Sequence, residues 1–434
     1  MRGAFDMADF DKSKPYSSWV AIDVAKDYNA VMIERRDGTR KKFRMANSAD
    51  DHDKLVAFIR ELPQPARIGF EATGNYHRAL GFRLVSEGFD TCLISSIAGA
   101  RYREVMFNSW DKNDPKDSEV LLELLKKGIV QRHVEPLIAG HHDLQELSKT
   151  YYNVTLSRTR LQHSILNHYL PLYFPEMRKF WCSTRSEWWV NYLLRFPTPS
   201  CVRSLPFSDY VTVAWPLLGR KVAKQRKLEE LYAVAQRSIG LPIASDSVAC
   251  ETFKLQLHRY LDLNAHRKAL EERAHEILSQ NPDYAVLTSI PGIGPITALT
   301  IFAEGGDLRR FGHHRQFLKY CGFDLAKNQS GSMRGLEQLS KRGNARLRLA
   351  LWMAALNATT HKENSFREKF RRYIQTDPQD ADLRRKALTA VAAKMARVVY
   401  GLIKSGKTYQ GYFEQALPSG SIPLCRAVEA VRTS

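Results

Sequence analysis

Cysteine is scarce and scattered in this 434-residue chain. The six cysteines (Cys92, Cys182, Cys201, Cys250, Cys321 and Cys425) show no C-x-x-C spacing. That excludes a zinc knuckle and a disulfide-framed secreted scaffold, and it reads as reduced cytosolic thiols. Long apolar runs are missing too. None approaches the roughly 20 residues a spanning helix needs, and Met1–Pro15 is polar and charged, without a secretory apolar core. Acids are outnumbered: 46 Asp and Glu stand against 65 Lys and Arg, for a net charge of +19 and a pI near 9.6. Such a balance points to a polyanionic partner. Hydrophobic residues make up 44%, enough for a globular protein, and the length allows two or three domains with their own cores.

The first third alternates short apolar runs with helical periodicity. Trp19–Ala25 reads as a buried strand. Asn29–Arg36 and Lys41–Met45, separated by Asp37-Gly38, read as a hairpin. Asp51–Leu62 has helical spacing, Ala66–Phe70 is a second apolar strand, and Tyr76–Glu87 a helix. Thr91–Ile94 is a third run, followed by a helix near Gly99–Met106. The pattern predicts an α/β layer with a mixed central sheet.

Acids fall at unusual places in that layer. Asp23 lies in the first strand, with no local partner in Ala-Ile-Asp-Val-Ala, and Glu71 ends a later one. Asp114 and Asp117, in Lys112-Asn113-Asp114-Pro115-Lys116-Asp117, open a helix running through Leu125. An acid in an apolar strand is costly to bury unless paired or bound to a cation. Four acids converging at a sheet edge and a helix start would make an oxygen-rich site for Mg²⁺ or Mn²⁺. Two such ions can stabilise the attacking and leaving oxygens of a phosphodiester. Individually, Asp114 also suits a helix N-cap before Pro115, Asp117 a favourable first-turn charge, and Glu71 a plain strand-end acid.

The stretch from Ser289 to Arg348 carries the second signal. Pro291-Gly292-Ile293-Gly294-Pro295 is a turn feeding an apolar helix. It looks like a helix-hairpin-helix, whose backbone N–H groups can donate to a phosphate. An ordinary turn between packed helices fits equally. Between Leu308 and Ala350 stand ten Lys or Arg against Asp324 and Glu337. The field includes Arg315, Lys327, Arg334, Lys341, Arg342, Arg346 and Arg348. Inside it lie Gln329-Ser330-Gly331-Ser332 and Ser340-Lys341-Arg342-Gly343-Asn344. Small residues let a phosphate approach, and the cations neutralise it. The expectation is a DNA-contacting, catalytic loop. Elsewhere 140–180 and Ala249–Ser279 look helical, the latter suiting a coiled-coil or bundle arm. Residues 171–245 are rich in Trp, other aromatics and Pro and yield no clear reading. Leu347 to about Ile403 is helical again, before a loosely ordered end.

Together these pieces resemble the DEDD transposases of insertion sequences, serine-dependent recombinases associated with a bridge RNA. The match lies in Ala-Ile-Asp-Val-Ala-Lys around Asp23, Phe-Glu-Ala-Thr-Gly around Glu71 and the paired acids Asp114 and Asp117. Further on it includes Ile-Pro-Gly-Ile-Gly-Pro, Phe317–Gly322, Gln329-Ser330-Gly331 and Ser340–Asn344 leading to Leu347-Arg348. It covers roughly residues 17–130 and 284–360. The resemblance implies an RNase H-like (RuvC-like) α/β domain at 17–138 after a flexible arm at 1–16. A helical coiled-coil connector at 139–283 would follow, with an insertion at about 171–245. A mostly helical C-terminal transposase domain at 284–405 and a tail at 406–434 complete the division. It also implies a metal-binding tetrad (Asp23, Glu71, Asp114, Asp117) with two Mg²⁺ or Mn²⁺ ions, and Ser330 as nucleophile forming a transient phosphoserine. Partners would be donor and target DNA and a structured bridge RNA. The assembly would be a tetramer, as a dimer of dimers, on a Holliday-junction pathway in a bacterial or archaeal cytoplasm, at the nucleoid. The family often has adjacent serines where this chain has Ser330-Gly331-Ser332, so Ser332 rivals Ser330.

A serine hydroxyl needs a base or a metal to become a nucleophile at neutral pH. No His stands beside Ser330 in sequence, which favours metal activation. Arg334 and Lys341 are candidates to stabilise charge on the phosphate oxygens, or simply to anchor the backbone. Two other classes fit less well. A junction-resolving nuclease would use water and no covalent intermediate, and a non-catalytic nucleic-acid scaffold has no need of acids ending strands.

Overall fold

The computed structural model describes residues 15–107, 114–181, 187–219, 223–326, 329–330, 333–334, 338–361 and 363–410, with the backbone alone at 114–116, 329–330 and 333–334. The chain forms two compact units. One comprises Met1–Asp143 with Gly305–Asn344, the other Leu144–Glu304 with Ala345–Ser434. This partition cuts across the consecutive domains expected along the sequence, because a segment from the C-terminal third joins the N-terminal unit.

The first unit is built on a six-stranded sheet of order β3-β2-β1-β4-β5-β6. Its strands are β1 (Ser18–Asp23), β2 (Tyr28–Arg35), β3 (Arg40–Ala46), β4 (Ala66–Glu71), β5 (Asp90–Ile94) and the short β6 (Gln131–Arg132). β1, β4 and β5 are parallel, while β2, β3 and β6 run antiparallel to their neighbours. Parallel strands need crossovers, supplied by α1 (Ala49–Glu61) and α2 (His77–Ser86); α3 (Ser96–Phe107) and α4 (Asp114–Lys126) follow β5. Side-chain alternation sorts the two faces. Val20, Ile22, Ile68 and Phe70 pack with Leu55 and Ile59 of α1 and Leu80 and Leu84 of α2. Ala21 and Cys92 pack on the opposite face with Val120, Leu121 and Leu125 of α4. Apolar residues on both faces mark the central strands as buried on two sides. The expected α/β layer with a mixed sheet is what forms.

The second unit is helical. α5 (His142–Ser164) and α11 (Val248–Ser279) lie antiparallel. Arg158 Nε donates to Asn264 Oδ1 (2.6 Å), and seven residues earlier Tyr151 donates to Glu271 (2.9 Å), seven residues later. The region that resisted reading lies between them. It contains α6 (Leu170–Tyr173), α7 (Trp188–Arg195), α8 (Pro199–Arg203), α9 (Phe207–Ala214) and α10 (Lys224–Gln236). Their core includes Phe174, Tyr192, Phe196 and Tyr210, closed by Phe253 and Tyr260 of α11. Next come α12 (Pro282–Thr288) and α13 (Pro295–Gly305); after α14 (His314–Cys321), which belongs to the first unit, follow α15 (Ala345–Thr360), α16 (Ser365–Tyr373) and α17 (Ala381–Ser405). The chain past α17 is still anchored: Tyr409 stacks on Phe366, and its N–H donates to Ser289 Oγ.

Candidate active site

The sheet delivers two of the four acids to one place. β1 and β4 are adjacent and parallel, and Ile22 and Phe70 are the last residues paired between them. Asp23 and Glu71 come next on each strand. Alternation turns both away from the α1–α2 face and toward α3 and α4. Neither is fully buried.

The direction of α4 brings its first turn to the same end. Lys126 Nζ, at its C-terminus, lies 2.6 Å from Glu34 Oε1, and Glu34 pairs with Trp19 at the start of β1. From Lys126 back to Asp117 is about 13.5 Å of helix, and from Trp19 forward to Asp23 about 13 Å of strand. At the other end Gly99 of α3 faces Glu71, and Arg103, one turn on, meets Asp117, so α4 runs antiparallel to β1 and β4 with its start toward the Glu71 end of the sheet. Gly69 makes this packing possible. A Cβ there would sit 2.7 Å from Leu125 Cδ1. α3 completes the wall, since a Cβ on Gly99 would lie 3.7 Å from Glu71 Oε2.

The acids share a face without forming a ready metal cage. Among the described residues, no three His, Cys, Asp or Glu side chains lie close enough to hold an ion, and the Asp114 side chain is outside those residues. Asp117 is buried, and its Oδ1 lies 2.5 Å from Arg103 Nη2 of α3. Arg103 was not among the expected site residues, and nothing in its sequence neighbourhood marks it. Its role arises from the packing of α3 on α4. In chemistry the residues fit a hard divalent ion: three oxygen donors sit on one face, and one is a buried carboxylate whose Oδ1 lacks a well-directed hydrogen bond. Asp117 would first have to leave Arg103.

A second buried group lies on the opposite face of β4. Phe70 packs edge-on to His133, and His77 of α2 lies near both. His133 Nε2 is 3.3 Å from Glu135 Oε2, and Arg78 Nη2 donates to Glu135 Oε1 at 2.7 Å. Burial, the largest influence, lowers the pKa of both His77 and His133.

The basic segment forms a hairpin. β7 (Leu325–Ala326) pairs with β10 (Gln338–Leu339), and within them β8 (Gln329–Ser330) pairs with β9 (Met333–Arg334). Ser330 is thus on the inner pair, opposite Met333. Lys327 and Ser332 lie outside the described residues, as do the side chains of Ser330 and Arg334. The Ser340–Asn344 run closes the base. Ser340 N donates to Asp324 O (2.8 Å), Ser340 Oγ to the Asp324 carboxylate, and Asn344 N to Tyr320 O (2.7 Å). Lys341 takes a left-handed φ of 54°, and Gly343 (φ 150°) sits so near α14 that a Cβ would meet Gly322 N at 2.6 Å. The small residues here serve close protein packing and leave Lys341 and Arg342 exposed. Arg315 is exposed on the first turn of α14.

The second unit holds the remaining candidates. Gly292 (φ 89°) lies against α15, where a Cβ would be 2.7 Å from Ala358 N, whereas Gly294 faces open space. The close approach at Gly292 is to the protein's own backbone. Arg346 pairs with Glu304 at 3.2 Å and lies over the Tyr152 ring. Arg348 lies on the same helix, half-buried.

Both segments have counterparts in the sequences of known proteins. A family model of DEDD transposases, described as Transposase, matches residues 20–175, and one described as Transposase IS116/IS110/IS902 family matches residues 284–371. The chain belongs to this family of DEDD transposases. It is similar to the transposase for insertion sequence element IS1111A of Coxiella burnetii, 31% identical over 32% of this chain and 38% of that one. It also resembles the insertion element IS116 protein of Streptomyces clavuligerus, 21% identical over 90% of this chain and 96% of that one. The mini-circle putative transposase for IS117 of Streptomyces coelicolor is 24% identical, over 80% and 86%. As a member of this family the chain is an enzyme acting on DNA, and the DEDD class points to divalent-metal dependence. Among the described residues no helix is long and apolar enough to cross a membrane.

Proposed function

We propose that this transposase cuts and rejoins DNA strands through Ser330, with Asp23, Glu71, Asp114 and Asp117 as its acidic centre on an RNase H-like domain. The observation that supports this most is the shared face: two adjacent strands and an antiparallel helix carry the tetrad's backbone positions to one end of one sheet. The grouping of Gly305–Asn344 with Met1–Asp143 in one compact unit adds to it, since it puts the Ser330 hairpin and the acids in the same body. In the proposed step the Ser330 hydroxyl loses its proton and bonds to phosphorus, and a deoxyribose oxygen leaves as a free hydroxyl. The reverse step, with a hydroxyl from another strand, restores the serine and joins the DNA. A divalent ion, Mg²⁺ or Mn²⁺ and on this reading two of them, would supply positive charge against the phosphate oxygens. Exposed Lys341 and Arg342, with Arg315, would hold the DNA backbone, and Lys327 and Arg334 belong to the same basic hairpin. Gly294, ahead of α13, is open to a phosphate. A structured bridge RNA would choose the DNA partners, and a dimer of dimers would pass strands through a Holliday junction.

The test is a trapped protein–DNA adduct. Wild type with Mg²⁺ and a labelled junction should give a denaturant-resistant adduct. Ser330→Ala should abolish both adduct and joining, and Ser332→Ala should leave both. Asp23→Asn should reduce them by at least about 10³-fold. Cleavage that persists in Ser330→Ala without an adduct would establish the water-using nuclease instead. Sequencing the nucleic acid that copurifies with the protein tests the guide: a single structured RNA is expected, and random fragments would refute it.

A further inference from the structure

We propose that Arg103 is an internal cation that occupies the acidic centre until a divalent ion displaces it, so that metal loading requires α3 to release Asp117. The inference rests on the reading of Asp23, Glu71 and Asp117 as the ion's donors. Gly99 faces the Glu71 carboxylate, and Arg103 stands one helical turn further along the same side of α3. Its guanidinium thus enters from the side on which the acids gather. Arg103 Nη2 meets Asp117 Oδ1 at 2.5 Å, with the two side chains 16% and 9% exposed.

Two features of this pair favour displacement. The buried Nε of Arg103 has no hydrogen-bond acceptor, so the guanidinium is held by only part of its donor fork. Asp117, for its part, is the buried one among the described acids of the centre, so its carboxylate is the one that most needs a cation. A desolvated carboxylate left with no cation is strongly destabilising. With metal absent, Arg103 supplies that charge. With metal present, ion and guanidinium compete for the same oxygen, and the half-satisfied guanidinium is the weaker claimant. The acids would then close on the ion as α3 lets go.

Mn²⁺ binding to the full-length protein without nucleic acid tests this, followed by the electron spin resonance of free Mn²⁺. Arg103→Gln should bind Mn²⁺ about tenfold or more tighter than wild type, with a lower melting temperature in chelator. Arg103→Lys, which keeps the charge, should stay near wild type. Adding Asp117→Asn to Arg103→Gln should erase the gain. A merely structural bridge predicts the opposite sign, because losing it would loosen the site. If Arg103→Gln binds no tighter while Asp23→Asn weakens wild-type binding, the displacement idea is overturned and the acidic centre stands. Absence of saturable Mn²⁺ binding in both wild type and Arg103→Gln would overturn the two together. Hydrogen exchange on the wild type needs no variant. Mn²⁺ should raise exchange in Ser96–Phe107 and leave His77–Ser86 unchanged, and unchanged or slowed exchange in α3 would refute displacement.

Discussion

Replacing Gly69 by Ala tests whether α4 is placed by the sheet rather than by its own charges. The backbone at Gly69 is ordinary strand, so the added methyl acts only through contact. It would stand 2.7 Å and 3.3 Å from the two methyls of Leu125 and 3.2 Å from Ile94 Cδ1. Leu125 is fully buried and Ile94 is 2% exposed, so neither can swing into solvent. Overpacking of this kind costs about 1–3 kcal/mol. For a unit of this size that is a fall in melting temperature of roughly 2–10 °C. The Leu125 contacts, the closest, are relieved by lifting α4 from β4, which carries Asp117 away from Glu71. A displacement of about 1 Å in reacting groups costs on the order of 100-fold in rate. Gly69→Ala should therefore lose far more strand cleavage than stability, measured by thermal melting and junction cleavage on one preparation. Leu125→Val should partly relieve it, with a coupling of about 0.5 kcal/mol or more in the double-mutant cycle. Additive effects, or a Gly69→Ala enzyme with wild-type melting and cleavage, would refute the reasoning.

Gly292→Ala should be harsher. It adds a methyl against backbone atoms of α15 at a φ of 89°, which side-chain motion cannot relieve, so a loss above about 3 kcal/mol is expected by thermal melting. Gly294→Ala, facing open space, should leave melting nearly unchanged; any loss of DNA affinity there would mark the turn as a phosphate contact. Buried His133 and half-buried His77 predict a pH dependence. His77 and His133 have folded pKa values lowered below the ordinary 6.5, chiefly by burial. The unfolded chain therefore binds more protons than the folded one just below pH 6.5, so stability is full above that value. It falls as pH drops toward the lowered folded values. Melting temperature should decline from pH 7 to pH 5, and His133→Gln should flatten that decline; an unchanged slope would show that the group at Phe70 does not titrate on unfolding.

Much of the first unit was legible in the sequence because its signals are local. Short runs of four to eight residues, broken by Asp37-Gly38 or by helical spacing, became β1 to β5 with α1 and α2 between them. An acid at the end of a buried strand is likewise a local anomaly, and it singles out Asp23 and Glu71. The aromatic middle was opaque for the opposite reason. Phe174, Tyr192 and Tyr210 share a core with Phe253 and Tyr260, residues up to 86 positions apart, and short helices joined by Pro leave no sustained period to read. Gly292 and Gly343 invited a phosphate-binding reading, since a glycine that yields to a ligand and one that yields to another helix look the same in one dimension.

By itself the sequence determined the strand and helix alternation, the basic character, the acids that end strands and the motifs that mark a DEDD transposase, since each depends on residues near one another along the chain. Only tertiary structure decided that α4 runs antiparallel to β1, that Gly305–Asn344 joins the N-terminal unit, and that Arg103 meets Asp117. Those depend on how helices pack on a twisted sheet, where partners are chosen by volume and charge across long separations and no short stretch of chain records the choice.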